Sequence, residues 1–209
     1  MNILKPQKMN LKEYQNLKLD NIIDENNEYY KIEEEQYIEL DLYDIDLEHC
    51  IFKNVEAQNA NFEKVTFRDV IFENCNFSNS KFISVSFIRC EFVNCKISGC
   101  DFSENRLYNV YFNETNANYI NLTMAYLENA LFENTGLRNS YFQETGIKNL
   151  IFKNADLTQA NFFKTSLKGI NLSEATIEGI AVSISDIKGA IINQLQAIDL
   201  IGLLDIKIV

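Results

Sequence analysis

The chain has 209 residues, 46% of them hydrophobic, and a net charge of -11. This suits one folded domain with a sizeable core and excludes a disordered chain. Seven Gly, one Pro and no Trp are too few turn formers for a hairpin-built β protein.

Residues 1–39 come first and carry no repeat. Residues 1–12 lack the apolar core of a signal peptide, and no stretch is apolar enough to span a bilayer, so the expected compartment is the cytoplasm. Residues 24–48 hold eleven acids against one base, Lys31. That is -10, which leaves the rest of the chain at -1. Direct nucleic-acid binding needs a basic surface and is not expected; a basic protein surface is the partner such charge would steer. Tyr29, Tyr30, Ile32, Tyr37 and Ile38 are placed to cover the next element, which makes 1–39 an N-terminal capping segment. Its Glu33-Glu34-Glu35 run suits an edge protected from stacking.

From 40 to 194 a five-residue pattern takes over. Counted from residue 40, the third place of each five holds Phe, Leu, Ile, Val or Ala throughout. Fourteen of the 15 Phe stand there, so this place is the core. The first place is small or aliphatic, with Asn105 the irregular case. All five Cys (Cys50, Cys75, Cys90, Cys95, Cys100) occupy it and read as small buried hydrophobes rather than metal or redox groups. The remaining places are mostly polar. A period of five fits neither a helix nor a flat strand and requires a corner every five residues. In the second, outward place of the five, Ile and Leu occur only at Ile51, Ile71, Leu131, Ile151 and Ile191, all separated by multiples of 20. Tyr111 falls on the same series. Twenty residues per turn means a four-sided coil, about eight coils long, roughly 37 Å at ~4.8 Å per coil.

The last segment, 195–209, places Leu195, Ile198, Ile201 and Leu204 at helical intervals. They are the expected dimerisation residues of a C-terminal helix and tail.

Ala155-Asp156-Leu157-Thr158-Gln159 and Ala160-Asn161-Phe162 resemble the consensus of the pentapeptide-repeat family. The resemblance implies an all-β, right-handed quadrilateral β-helix with a short C-terminal helix. Length and ending are similar to the quinolone-resistance group, the Qnr and MfpA type, in its loop-free Gram-positive form. That group implies a homodimeric DNA mimic that binds DNA gyrase or topoisomerase IV and protects it from quinolones. The alternative is a structural or interaction solenoid with another protein partner. The expected partner-binding acidic surface is Asp41, Asp44, Asp46, Glu48, Asp101, Glu104 and Glu144. Residues 40–194 net only -6, whereas ~37 Å of duplex carries about 20 charges, so the mimicry is dilute. No catalytic triad, phosphate loop or metal spacing appears, and neither enzyme activity, cofactor nor metal is expected. The single His, His49, reads as a surface residue.

Overall fold

The computed structural model describes residues 3–6, 14–19 and 26–202. The chain winds as a parallel β-solenoid. Each five contributes a short strand and a corner, and each strand pairs with the residues 20 positions on: Ile51↔Ile71, Glu91↔Tyr111, Tyr111↔Leu131, Leu131↔Ile151. The 20-residue turn inferred from the outward aliphatics is therefore the physical repeat.

The corner explains the residue choice at the fifth place. Among the described residues, all 26 non-glycine residues with positive φ stand there, Asn at eleven of them. Asn tolerates the left-handed conformation better than most residues. It also ladders along the rod, as in Asn94 Nδ2 to Asn74 Oδ1 at 2.8 Å and Asn74 Nδ2 to Asn54 Oδ1 at 3.1 Å. At Gly99, φ is +68° and a Cβ would stand 2.6 Å from Asn79 Oδ1, so any side chain here requires the Asn79 amide to move.

The third-place side chains fill the interior in columns. Phe52, Phe72, Phe92, Phe112, Phe132 and Phe152 stack with successive centroid separations of 4.9, 4.5, 4.9, 4.6 and 5.7 Å. The first-place residues do more than fill space. The thiols of Cys75, Cys90, Cys95 and Cys100 donate to the carbonyls of Phe52, Phe67, Phe72 and Phe77, each 23 residues back. Burial pushes the Cys50, Cys90 and Cys100 thiols up to about 12 and keeps them protonated donors. Thr115, Thr135, Thr145 and Thr165 make the same bond.

Asn105, the irregular first place, uses both ends of its amide in this role. Nδ2 donates to Phe82 O at 2.7 Å, and Oδ1 accepts the Val85 N–H at 2.9 Å. Asn105→Ala strands both buried groups and is expected to cost about 1–3 kcal/mol in urea denaturation. Asn105→Thr retains a hydroxyl donor and loses less.

The register extends back beyond residue 40. Strands Asn26–Glu28 and Tyr30–Glu33 pair with Asp46–Glu48 and Ile51–Lys53, and Gln36 bridges to Glu56. Ile32 is fully buried. Residues 26–39 thus cover the first coil by adding a rung to it, and Gln15–Asn16 pairs with Tyr30-Lys31 outside that rung.

Regular strands persist for about six turns, fewer than the eight coils expected from the spacing. The last is Gly146–Lys153. Beyond it the 20-residue register survives as isolated bridges, Asp156↔Thr176, Asn161↔Ala181 and Asn171↔Ile191. Among the described residues, 146–154 make no backbone bond to 166–174, whereas Leu157 N–H to Thr176 O (2.8 Å) and Phe142 N–H to Asn161 O (2.8 Å) hold the other two faces. Leu150 continues the column of Cys90, Val110 and Ala130. A groove of about 620 Å³ opens there, lined by Leu150 and Ile170 among others.

The fold closes on two short helices, α1 (Ile184–Ile187) and α2 (Gln194–Ile201). A capping box starts α2: Gln196 N–H donates to Asn193 Oδ1 at 3.0 Å, and Asn193 N–H donates to Gln196 Oε1 at 2.9 Å. The buried Gln196 Nε2 then donates to Leu172 O (2.8 Å) and Ala175 O (2.7 Å). One side chain both caps the helix and pins it to the last coil.

Candidate functional site

The seven expected acidic residues fall into two groups. Asp41, Asp44 and Asp46 lie within one coil, are all exposed, and make no ion pair among the described residues. Glu48, on the same coil, is paired with Arg68. Asp101, Glu104 and Glu144 lie three to five rungs away. Three rungs are ~14 Å at ~4.8 Å each, beyond the ~8 Å screening length at physiological salt, so the two groups act separately.

The column between them is interrupted. Asp41 pairs with Asn61, Asn61 with Lys81, and Lys81 with Asp101. Lys164 Nζ holds Glu144 at 2.9 Å, and Asp101 accepts from Asn121 Nδ2 at 3.0 Å. On the other faces, bases sit 20 residues from acids: Lys148–Glu128 at 2.6 Å, Lys153–Glu133 at 2.6 Å, and Arg89 bidentate to Asp69 at 2.7 and 2.5 Å. The hydrogen-bonding ammonium of Lys153 holds the Glu133 carboxyl below its usual range. Asp41, Asp44 and Asp46 gather three exposed acids without an ion pair on one coil, while Glu104, Glu114, Glu174 and Glu178, also exposed and without an ion pair among the described residues, are spread along the rod.

The C-terminal face is apolar. Leu195 is 76% exposed and Ile198 54%, one helical turn apart on α2. Ile201 is half-buried and lines a groove of about 260 Å³ with Ile184, Ile187, Ala190, Ile192 and Leu200. Leu204 lies outside the described residues.

From the sequence, the outward aliphatic column of Ile51, Ile71, Leu131 and Ile151 is expected to be covered by the N-terminal segment, with a partner surface as the alternative. In the structure Ile51 is buried, and residues 3–6 reach the column at Glu91 and Tyr111. Glu91 is absent from the expected site, although one charged residue in an apolar column is a legible signal. His49 stacks on Tyr29 with centroids 5.1 Å apart. No group of His, Cys, Asp and Glu able to hold a metal ion occurs among the described residues, and no helix among them is long and apolar enough to cross a membrane.

A corner every five residues, a buried Phe column and a left-handed backbone at most fifth places define a pentad-built parallel β-solenoid. Family comparison agrees: a pentapeptide repeat region matches residues 85–162, and pentapeptide repeats (9 copies) match 47–91. The chain belongs to the pentapeptide-repeat family. No curated protein matches it. Among solved structures, full-length QnrB1, a plasmid-mediated fluoroquinolone resistance protein, is similar at 16% identity. The match covers 92% of this chain and 95% of that one, with a TM-score of 0.40. HetL, involved in heterocyst differentiation regulation in the cyanobacterium Nostoc sp. strain PCC 7120, is similar at 15% identity, covering 81% and 90%, with a TM-score of 0.42. Rfr23 of the cyanobacterium Cyanothece 51142 is similar at 22% identity, covering 66% and 91%, with a TM-score of 0.27.

Proposed function

We propose that the protein is a non-enzymatic binding rod that presents its acidic first coil to a basic protein surface, as a cytoplasmic homodimer joined through α2. The observation that carries this reading is the unpaired, exposed trio Asp41, Asp44 and Asp46 at one end of a stiff solenoid. Unpaired carboxylates on one coil steer and register a basic partner without an internal cation competing for them. The DNA-binding surface of a type II topoisomerase is the partner that the quinolone-resistance resemblance implies, and the rod would occupy it in place of DNA.

Gyrase supercoiling with added protein, with and without ciprofloxacin, tests this. The protein is expected to inhibit or protect at micromolar concentration. The triple change of Asp41, Asp44 and Asp46 to Asn is expected to weaken the effect about tenfold, roughly 1.4 kcal/mol. No binding, no inhibition and no protection would sink the topoisomerase reading. A second reading, an interaction solenoid for another protein, is favoured by the lysines that break the acidic columns, Lys64, Lys81 and Lys164. A pull-down from the native host in which gyrase was the main partner would count against it.

A further inference from the structure

Glu91 occupies an outward place in a column whose neighbours are Ile71 on one side and Tyr111 on the other. Its side chain is only 5% exposed. A carboxylate that deep needs a compensating charge. Lys5 supplies it: Nζ stands 3.2 Å from Glu91 Oε1 and 4.5 Å from the centroid of the Tyr111 ring. The contact is an ion pair without hydrogen-bond geometry, so the buried Oε1 keeps its acceptor capacity unused. The ring is fixed from beneath, because Tyr111 Oη donates to Glu133 Oε2 at 2.5 Å and Lys153 holds Glu133 in turn. Leu4 N–H donates to Asn109 Oδ1 at 3.4 Å, and Pro6 is buried. The Lys5 side chain itself remains 61% exposed.

We propose that Glu91 and Tyr111 form an ammonium-binding site, filled in cis by Lys5 and open in trans to a lysine on an extended segment of a basic protein partner. The site has the two elements that recognise an ammonium: a desolvated carboxylate and an aromatic face within ~6 Å. Asn109 adds one backbone anchor, so the ligand is an extended segment rather than a free amine. The cis contact is exchangeable for a like one, since a partner's lysine supplies the same compensating charge to Glu91 that Lys5 does. It competes through tethering, because Lys5 belongs to the same chain and so acts at a raised effective concentration. The arrangement makes residues 3–6 a strap that a lysine-bearing partner displaces. This rests on the proposal above that the partner is basic, but its test involves no topoisomerase, and a negative gyrase result leaves it standing.

The test titrates the acetylated, amidated tripeptide Leu-Lys-Pro into full-length Lys5→Ala protein, followed by backbone amide shifts. The same peptide with norleucine in place of lysine is the control. The Lys5→Ala protein is expected to bind the lysine peptide saturably and about tenfold more tightly than wild type, whose own strap competes. The norleucine peptide is expected not to bind, and Lys5→Ala/Glu91→Gln protein to lose the lysine peptide. In wild type without peptide, Glu91→Gln is expected to speed hydrogen exchange at the Leu4 amide. Absence of saturable binding to Lys5→Ala, equal binding to wild type, or equal binding of the norleucine peptide overturns the proposal. Should the double variant fail to fold, the lysine–norleucine comparison on Lys5→Ala still decides it.

Discussion

Phe92→Ala is expected to remove about 3–5 kcal/mol of stability, the usual cost of emptying a buried aromatic site. Phe92 is fully buried between Phe72 and Phe112, at 4.5 and 4.9 Å with near-parallel rings, and meets Phe87 at a tilt, 5.8 Å away. The loss has two sources. The ring's transfer free energy disappears, and backbone ladders at a fixed strand spacing keep the rungs from collapsing into the void. In a solenoid each coil is stabilised only by its neighbours, so a weak middle rung also uncouples the stacks on either side. Urea denaturation should therefore show a lower midpoint and a broader or two-step transition. Val182→Ala, near the last coil, removes two carbons from a site 8% exposed. At ~0.8 kcal/mol per carbon it costs roughly 1.5 kcal/mol and should leave a single transition. Equal effects of the two substitutions would contradict the nearest-neighbour account.

Much of this architecture is legible in the residues because one repeat governs both core and corner. Phe at the third place marks the interior, and outward Ile and Leu spaced by 20 mark the turn length. The fifth-place Asn residues carry the same information through backbone conformation: Asn54, Asn74, Asn94, Asn134 and Asn154 repeat by 20 because each turns a left-handed corner. Three features escape the pattern for physical reasons. The rung at 26–39 has Ile32 but no Phe, and its pairing is visible only through backbone register. The Cys residues look like passive fillers because S–H donation to a carbonyl 23 residues back involves no sequence neighbour. The Lys5–Glu91 contact joins residues 86 positions apart, which no period connects. The charge on the faces, by contrast, is readable at the same interval. Glu128 and Lys148, like Glu133 and Lys153, stand 20 apart and pair across adjacent rungs, which neutralises those acids.

The second large effect is expected at the other end of the rod. Leu195→Glu/Ile198→Glu should convert the proposed dimer to a monomer in light scattering, with the unfolding midpoint of the monomer nearly unchanged. The helix presents two different surfaces. Gln196 is buried and bonded to Leu172 O and Ala175 O, and Leu200 packs on the core, so the docked side is chemically complete. Leu195 and Ile198 are exposed on the helix, as are Ile184 and Ile191 at the same end of the rod. An apolar patch of this kind marks an interaction site rather than a fold requirement, and a two-fold axis lets one patch serve both copies. Two carboxylates placed there would be desolvated against their own symmetry mates, and each hot-spot loss of about 2 kcal/mol or more weakens association about 30-fold. Gln196→Ala provides the contrast. It leaves the outward patch intact but removes both tethers and half of the capping box, so it should lower the unfolding midpoint and the dimer fraction together. If the double glutamate variant stayed dimeric, α2 would not be the interface. If it lost stability as Gln196→Ala does, Leu195 and Ile198 would belong to the folded core instead.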